Sequence, residues 1–418
     1  MRNNAEVLVI GGGPAGMIAA GKAAEAGHRV CLLEKNKEPG KKLLITGKGR
    51  CNVTNNCSHE EFIEQMPGNG RFLHSAYRQF SSRQLQEFFR SLGVPLKIER
   101  GKRVFPQSDK ASDIRDALVL YIKKNQVDIL PDSQVIDMKE ENGQWVVMTH
   151  NKKRLKSQRV IGAFGGASYT KTGSTGDGYP LAKAQGHTLI PMKPSLVPLV
   201  CSEPWPIRLL DLTLKNVRVE AFTLAGKSLG EEFGELAFTE DGVSGPVILT
   251  LSRALSLYGV SPEKPVKLLV DLKPSLSEEQ LKNRLDRDFT YFQRKHFKNA
   301  FAKLLPKAFI PVFIQQSGID PETPVHQITK EQKSTLLKRL KGVSLTVVKT
   351  RPLEEAVVTM GGVSTKEVDP GTMESKISPG LYFCGEMLDI DGYTGGFNLQ
   401  AAFTTGYTAG KHAALSLF

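Results

Sequence analysis

Short apolar runs alternate with stretches of helical periodicity in the first part of the chain. Apolar runs at Val7–Ile10 and Val30–Leu33 flank an alanine-rich helical pattern at Met17–Ala26. This order predicts a strand, a helix and a second strand, which is the opening unit of a parallel α/β sheet. Apolar residues at helical spacing predict further helices at Ser82–Leu92 and Asp113–Asn125.

Several later segments extend this pattern. Apolar alternation predicts strands at Ser133–Met138 and Gln144–Met148, and a further apolar strand that begins at Arg159 ends in glycines. Near the C-terminus, a turn and a short apolar strand within residues 378–386 precede a glycine-rich turn and a helix at Ala401–Leu415. The chain is therefore predicted to return to the α/β domain at its end.

The middle of the chain has a different pattern. Prolines interrupt an extended segment from Pro191 to Pro206, and short alternating strands are predicted from there to Asp271. Helices follow, with breaks expected at Pro306 and Pro311, and α/β patterns resume near residue 347. The expected organisation is a discontinuous α/β domain at 1–190 and 345–418, a β-rich insert subdomain at 191–275 and a helical insert subdomain at 276–344.

A glycine-rich turn joins the first strand to the first helix. Gly11, Gly13 and Gly16 form the G-x-G-x-x-G spacing, and Glu34 stands at the end of the second strand. In a dinucleotide site the first glycine allows the tight turn, the second lets the backbone approach a pyrophosphate, and the third permits close packing. The helix N-terminus would face the phosphates, and Glu34 could accept the ribose hydroxyls. The alternative is a glycine-rich turn in an ordinary α/β domain.

The C-terminal glycines indicate which dinucleotide is bound. The turn at 392–400 leads into the last predicted helix, whose N-terminus suits the electron-rich edge of a reduced isoalloxazine ring. A dehydrogenase that uses NAD would need no such return to the cofactor. The combination resembles the glutathione-reductase-like fold, so FAD is favoured over NAD.

Five further motifs resemble those of one bacterial family. They are GKGRCNVTN at 47–55, KTGSTGDGY at 171–179, GELAFT at 234–239, GVSGP at 242–246 and TMGGV at 359–363. The chain is similar over residues 7–400 to the BaiN/RdsA family of NAD(P)/FAD-dependent oxidoreductases, also called the HI0933-like or YhiN family. The resemblance implies a glutathione-reductase-like FAD-binding Rossmann domain interrupted by an insert with a β part and a helical part. It also implies reduction of a conjugated double bond with electrons from NADPH or NADH.

The motifs and the resemblance together predict the residues around FAD. Val135 is expected near the adenine, and TMGGV is expected to cover one flavin face through its backbone. Asp177 either forms an Asx turn or is a helix N-cap residue that contacts the cofactor. The expected FAD contacts are Gly11, Gly13, Pro14, Ala15, Gly16, Glu34, Lys35, Lys42, Gly49, Arg50, Cys51, Asn52, Thr54, Val135, Gly165, Gly166, Gly361, Gly362, Gly385, Glu386, Gly392, Gly395, Gly396, Phe397 and Asn398.

Cys51 is the candidate catalytic residue. A thiol beside the flavin could protonate the carbon opposite the one that receives hydride, and Arg50 could lower the pKa of this thiol or bind a phosphate. Two alternatives stay open. Cys51 could pack against or contact the flavin without transferring a proton, or it could form a redox pair with Cys57. Their C-x₅-C spacing departs from the C-x₄-C spacing of disulfide reductases.

The formal net charge of +13 at pH 7 favours a polyanionic partner. The stretch from Lys282 to Lys307 is rich in lysine and arginine, interleaved with aromatic residues that we expect mostly in the core. Its basic side chains form either a solvated helix face or an RNA-facing surface. The RNA-binding candidates are Arg294, Lys295 and Lys298. The resemblance favours 23S ribosomal RNA or its precursor particle as the partner.

Other features exclude several classes of protein. The five cysteines have neither a disulfide framework nor zinc spacing, which fits a reducing compartment. His187 and His296 are predicted to be structural or surface residues, because no metal-ligand set accompanies them. Without a long apolar run or a signal sequence, we expect a cytoplasmic protein with no membrane partner and no metal.

Three functions remain possible from the sequence. The first is reduction of uridine to dihydrouridine in 23S ribosomal RNA, and the second is reduction of a small, steroid-like enone. Both substrate classes are implied by the resemblance. The third is a non-catalytic, flavin-bearing RNA-binding factor. The positive charge favours the first, because a steroid-like substrate requires no cationic surface.

Overall fold

The computed structural model describes residues 4–418. The strands are β1 (Val7–Ile10), β2 (Val30–Leu33), β3 (Thr54–Asn55), β4 (Leu96–Glu99), β5 (Arg103–Pro106), β6 (Asp128–Leu130), β7 (Val135–Glu141), β8 (Gln144–Thr149), β9 (Arg154–Ser157), β10 (Arg159–Gly162), β11 (Leu189–Ser195), β12 (Leu199–Cys201), β13 (Thr213–Thr223), β14 (Ser228–Phe238), β15 (Gly242–Ser244), β16 (Val266–Asp271), β17 (Val343–Thr350), β18 (Val358–Val363) and β19 (Leu381–Phe383). The α-helices are α1 (Pro14–Glu25), α2 (His59–Glu64), α3 (His74–Gln79), α4 (Ser82–Ser91), α5 (Ala111–Lys124), α6 (Gly178–Ala184), α7 (Pro246–Tyr258), α8 (Glu278–Tyr291), α9 (Ile310–Ser317), α10 (Lys330–Lys341) and α11 (Phe397–Leu415).

The first of two compact units runs up to Pro194 and resumes at Leu353–Phe418. Its central sheet has five parallel strands in the order β19-β10-β1-β2-β6. The chain steps from β1 to β2 on one side and pairs β1 with β10 on the other, so the strand order reverses at β1. In open α/β sheets, ligands bind at such a reversal, beyond the carboxyl ends of the strands. The predicted α/β class with a Rossmann sheet is confirmed.

Helices α1 and α11 of the first unit lie unusually close together. A Cβ atom on Gly406 would clash with the carbonyl oxygen of Ala15, and one on Gly410 would clash with that of Ala19. Only glycine at these two positions allows the backbones to approach this far. Close packing therefore fixes the start of α11 relative to the glycine-rich turn before α1.

The second unit, Ser195–Pro352, contains a closed barrel in the order β12-β15-β14-β13-β16-β17. The helices α7–α10 belong to the same unit. Leucine and valine side chains from the barrel and phenylalanines from the helical segment form one core, which includes Leu236, Val270, Phe297, Phe301 and Phe313. A barrel-like insert is thus present, as the resemblance implied.

Several elements differ from the sequence pattern. The segment predicted as short strands contains α7, which begins at Pro246 after Gly245 with a φ of +94°. Strands β13 and β14 each have 11 residues because they pair along most of their length. Pro311 does not break a helix but lies in the first turn of α9, where its missing N–H costs no hydrogen bond.

The unit boundaries also fall beyond the expected positions. Strand β11 pairs with β18 in the first unit, which carries that unit to Pro194. Strand β17, placed partly in the cofactor domain by its sequence pattern, pairs with β12 and β16 in the barrel. The division of the chain into three functional domains stays a prediction.

Candidate FAD site

The turn between β1 and α1 has the geometry of a phosphate-binding loop. A Cβ atom on Gly11 (φ +107°) would clash with the carbonyl oxygen of Ala163, and one on Gly16 would clash with that of Gly11. A Cβ atom on Gly13, by contrast, would meet no atom within 4 Å. Gly11 and Gly16 are therefore required for packing, whereas Gly13 borders open space that a pyrophosphate can fill.

The N-terminus of α1 opens toward the same space. Gly13 is the N-cap residue, Pro14 occupies the first turn, and within residues 4–418 no side chain caps the helix at this position. The first-turn N–H groups of Ala15 and Gly16 have no intrahelical acceptor. These amides and the helix dipole together favour an anion.

Glu34 lies at the end of β2 and contacts the turn directly. One carboxylate oxygen accepts the N–H of Gly12 at 2.7 Å, and the other accepts the backbone and side-chain N–H groups of Asn36, each at 2.7 Å. The side chain is buried, with only 6% exposure of the residue. These bonds fix the carboxylate and leave lone pairs that suit a ribose hydroxyl.

A second polar cluster joins residues that are distant in sequence. The Lys42 ammonium lies 2.7 Å from the Glu386 carboxylate and donates to the Ser168 hydroxyl at 2.7 Å. Glu386 also accepts the Ser168 hydroxyl at 2.9 Å and the Thr359 N–H at 2.8 Å. Burial opposes ionisation, but the Lys42 ammonium and these donors hold the pKa of Glu386 below its usual range. Ser168 and Thr359 were not predicted as polar partners.

Lys35 and Asp177 form a third polar contact of the first unit. The Lys35 ammonium lies 2.7 Å from the Asp177 carboxylate and 2.6 Å from the Thr175 hydroxyl, and Gln134 donates to the same carboxylate at 3.0 Å. Burial acts to raise the pKa of Asp177, but the hydrogen bonds from Lys35 and Thr175 keep it lowered. Asp177 thus connects the loop before α6 to the segment that follows β2.

The glycine-rich turn before α11 is also held from several directions. Gly395 and Gly396 have φ angles of +127° and +98°, and a Cβ atom on Gly396 would lie 2.5 Å from the backbone of Thr54. The Asn55 side chain donates to the Gly395 carbonyl at 3.1 Å. The Asn398 amide closes the turn through two 2.8 Å bonds to the backbone of Gly392. The N-terminus of α11 at Phe397 is therefore rigidly placed.

Other predicted cofactor residues have structural reasons for their identity. Cβ atoms on Gly361 and Gly362 would clash with the carbonyl oxygens of Pro191 and Met387, and one on Gly166 would clash with the side chain of Thr359. Gly49, Gly165 and Gly385 have positive φ angles.

Two predicted cofactor residues that are not glycines are also held in place. Val135 begins β7 and is buried, and the Thr54 hydroxyl forms hydrogen bonds with Gln400 and Ser82. Their contacts with FAD stay predictions.

The residues present fit FAD. In addition to the open space at Gly13, the Asn52 Oδ1 and Tyr179 hydroxyl oxygen atoms are buried and have no hydrogen-bond partner among residues 4–418. Burial raises the pKa of Tyr179, and the Glu386 carboxylate raises it further. The Tyr179 hydroxyl therefore lies in the same part of the first unit as Glu386. A bound ligand with several polar groups would satisfy both atoms.

The environment of Cys51 differs from the expectation. Arg50 lies 4.2 Å over the ring of Phe105, and its guanidinium forms ion pairs with Glu99 and Asp109. Burial raises the pKa of Cys51 to about 12, opposed only by a hydrogen bond with Thr46, and Arg50 is not among the groups that shift this pKa. Cys51 is fully buried with a φ of +59°. Its role in proton transfer stays a prediction.

The three RNA-binding candidates lie in the second unit, in the segment after α8. Arg294, Lys295 and Lys298 are all exposed. The Lys298 ammonium is 2.6 Å from the Glu322 carboxylate, so part of its charge is balanced. Within residues 4–418, neither Arg294 nor Lys295 forms an ion pair.

The two histidines of the sequence analysis have different surroundings. His187 is buried, with its Nε2 atom 2.8 Å from the Ser375 hydroxyl and its Nδ1 atom 3.3 Å from Glu367. His296 is exposed and pairs with Glu322 at 2.7 Å. Across residues 4–418, no cluster of three metal-ligating side chains occurs. No helix in the same residues is long and apolar enough to cross a membrane.

Comparison with known proteins identifies relatives over the whole chain. The chain is 34% identical to 3-dehydro-bile acid delta(4,6)-reductase of Clostridium scindens, covering 97% of this chain and 98% of that one. It is 30% identical to ribosomal RNA dihydrouridine synthase of Escherichia coli, covering 97% of both chains. Its fold is similar to that of 3-ketosteroid-delta4-(5alpha)-dehydrogenase from Rhodococcus jostii, with a TM-score of 0.55 and 17% identity over 98% of this chain and 97% of that one.

The family assignment rests on these matches and on the site geometry. The family described as HI0933-like protein Rossmann domain matches residues 5–412, which include β1, the glycine-rich turn and most of α11. Both relatives named above are oxidoreductases. The open turn between β1 and α1 is consistent with such an enzyme. The chain belongs to the HI0933-like family of Rossmann-fold oxidoreductases.

Proposed function

We propose that this protein is an FAD-dependent, NAD(P)H-driven reductase that converts a uridine of 23S ribosomal RNA to dihydrouridine. The observation that carries this proposal is the net charge of +13, together with exposed, unpaired cations in the second unit. A phosphate backbone is the substrate feature that such cations bind. A relative named ribosomal RNA dihydrouridine synthase, aligned over 97% of both chains, supports the same substrate class. We place this activity in the cytoplasm, on 23S RNA or its precursor particle.

Different residues of the first unit would bind different parts of FAD. The turn at Gly11–Gly16 and the α1 amides would hold the pyrophosphate, and Glu34 would accept ribose hydroxyls. The Lys42–Glu386 pair would bind polar groups along the cofactor chain. The N-terminus of α11 would stabilise negative charge on the reduced ring. When bound, FAD would supply a hydride, taken from NAD(P)H, to C6 of the uracil ring.

The second half of the reaction requires a proton at C5. Burial raises the pKa of the Cys51 thiol, which keeps the proton on sulfur but moves the thiol away from the pKa at which a general acid is most efficient. The backbone N–H of Cys51 donates to the Thr46 carbonyl at 3.0 Å, which fixes the backbone at this residue. Both faces of the C5–C6 bond must be accessible, so the uridine has to leave its stack.

The test is the nucleoside content of 23S ribosomal RNA from cells with and without the gene, measured by mass spectrometry. We expect dihydrouridine to disappear from one position when the gene is deleted and to return when the wild-type gene is supplied. A Gly13→Val gene should not restore it, because the cofactor space is filled. Unchanged dihydrouridine in the deletion strain would contradict the proposal.

A second candidate is reduction of a small enone. It is supported by the 34% identity to 3-dehydro-bile acid delta(4,6)-reductase over 98% of that protein. Oxidation of NADPH by the purified holoenzyme, with and without a steroid enone, tests this candidate. Rapid enone-dependent oxidation without measurable RNA affinity would favour it. A third function, a non-catalytic RNA-binding factor, predicts that NADPH reduces the flavin only slowly in a stopped-flow experiment.

A further inference from the structure

One aromatic side chain in the basic helical segment is not part of the core. Phe289, Phe297 and Phe301 are buried and contact one another edge-to-face. Tyr291, the last residue of α8, is 67% exposed. Because a tyrosine this exposed adds little to the stability of the unit, its packing does not account for its identity.

Cations surround the exposed ring. The Lys303 ammonium lies 3.2 Å from the centroid of the Tyr291 ring. Arg287 stands one helical turn before Tyr291, and residues four apart share one face of a helix. Arg287 and Lys303 are exposed, and neither forms an ion pair with a carboxylate of residues 4–418. The site therefore combines an exposed aromatic ring with two cations that have no carboxylate partner, and one of them, Lys303, lies over one face of the ring.

Two other cations in or near the same segment are paired with carboxylates, unlike Arg287 and Lys303. Arg284 is held by Asp288 at 2.7 Å, and Lys333 is held by Asp286 at 3.1 Å. Acidic side chains are thus available in this segment, yet they pair with cations away from the Tyr291 ring. Arg287 and Lys303 differ from these two cations, because no carboxylate of residues 4–418 pairs with them.

We propose that Tyr291, with Arg287 and Lys303, is a stacking site for an unpaired nucleotide of RNA. The inference rests on the proposed function and deepens it by naming how the RNA is held. Unpaired bases stack on exposed aromatic rings, while lysine and arginine contact the adjacent phosphates. An enzyme that extrudes a uridine leaves nucleotides without their stacking partners, and such a site stabilises one of them. The single-stranded state, rather than a duplex, is the one that this surface selects.

The experiment measures the affinity of the holoenzyme for a short single-stranded RNA and for a blunt duplex of the same sequence. Tyr291→Ala should weaken single-strand binding about tenfold, which is the size of one lost base–aromatic stack, and should leave duplex binding unchanged. Tyr291→Trp should preserve single-strand binding, because an indole also stacks. Phe233→Ala removes a ring that is 57% exposed on β14 and serves as the matched control.

Salt dependence separates stacking from charge. Tyr291→Ala should keep the slope of log affinity against log salt, whereas Arg287→Ala with Lys303→Ala should make it shallower. The inference is overturned if Tyr291→Ala binds single strands as the wild type does, or if it loses single-strand and duplex binding equally. If the wild-type protein binds no RNA at all, the proposed function itself fails, and this outcome is distinct from the other two.

Discussion

Two sets of charged side chains, one in each unit, differ in their ion pairs. In the first unit, Lys35 and Lys42 each lie 2.7 Å from a carboxylate, and Arg50 is held between Glu99 and Asp109. In the second unit, Arg294 and Lys295 are exposed and form no ion pair within residues 4–418. Paired charges fix the positions of loops, whereas unpaired charges attract a partner. We therefore propose that the paired set positions loops at the cofactor site and that the unpaired set attracts an anionic partner.

The largest effect is expected from Gly13→Val in the first unit. Gly13 has a φ of −75°, which valine adopts easily, and no protein atom lies within 4 Å of the added Cβ. The protein should therefore fold but lose its yellow colour, because the side chain occupies the pyrophosphate space. Absorbance of the purified protein and its thermal unfolding measure both outcomes.

Gly342→Val is the control for this change. Gly342 has a φ of −160° and lies in the second unit, so this variant should keep its flavin. A Gly13→Val protein that remains yellow would show that the open space does not hold the cofactor. We also expect FAD to be bound non-covalently, so acid precipitation should release the flavin from the wild-type protein.

Cys51→Ala is expected to slow substrate reduction by about 10²–10⁴-fold if the thiol is the general acid. FAD binding and oxidation of NADPH with a quinone acceptor should stay near normal, because these steps need no proton from Cys51. Steady-state turnover of RNA substrate is the measurement. Cys201→Ala is the matched control, since Cys201 is also buried and its pKa is likewise raised to about 12 by burial.

Turnover of Cys51→Ala within about threefold of the wild type would exclude Cys51 as the acid, since general acid catalysis contributes far more. The buried residue would then be a packing residue beside the cofactor loop. Equal losses in Cys51→Ala and Cys201→Ala would point to a general effect of cavities on the fold.

Reversing the charges of Arg294, Lys295 and Lys298 together to Glu tests the second unit. Binding to ribosomal RNA fragments should weaken about tenfold or more, and the salt slope should become shallower by roughly two units. Electrophoretic or fluorescence titration at several salt concentrations measures both. Reduction of a quinone should not change. The contribution of Lys298 should be the smallest, because Glu322 already pairs with it.

The same reversal at Lys123, Lys124 and Lys153, which are exposed in the first unit, is the control. An equal loss of RNA affinity in both triple variants would mean that net charge, rather than the second unit, captures the RNA. Survival of affinity and salt slope in the first variant would refute the assigned surface.

The smallest effect concerns the pH dependence of the first unit. Burial lowers the pKa of His187 below its usual 6.5, although Glu367 opposes the shift. The unfolded chain therefore binds a proton more readily, so stability contributed by neutral His187 is present above pH 6.5 and decreases as the pH falls toward the folded pKa. His187→Gln should flatten this dependence, because the glutamine side chain does not titrate.

Chemical denaturation of wild type and variant at neutral and mildly acidic pH measures this difference. His150→Gln alters an exposed histidine of the same unit and should leave the pH dependence unchanged. Parallel curves for wild type and His187→Gln would show that the buried imidazole does not couple to folding.

Local sequence patterns predict much of the structure of the first unit. The glycine spacing before α1 and the acidic end of β2 lie within one short segment, so their geometry follows from local rules. The contact of Lys42 with Glu386 and Ser168 could not be predicted as a cluster, because it joins residues 344 and 126 positions apart. The local sequence does not indicate which distant carboxylate will form an ion pair with a given lysine.

The second unit was harder to predict for a related reason. Helix α7 begins at Pro246 after Gly245, and although proline favours the start of a helix, the alternating apolar pattern around it predicts strands. The aromatic residues near α8 were expected mostly in the core, and the structure separates Tyr291 from the others by exposure. Periodicity locates a helix, but burial on each face depends on what packs against it.

The pairing of β11 with β18 has an evolutionary consequence. Strand β11 is the last before the chain leaves the first unit, and β18 is the first after it returns. The two strands lie so close that a Cβ atom on Gly361 of β18 would clash with the carbonyl oxygen of Pro191 on β11. An excursion whose two ends are neighbours can lengthen, shrink or be replaced without disturbing the strands that carry it. The barrel and its helices thus join the first unit through one pair of neighbouring strands, so a change in their length need not move its central sheet.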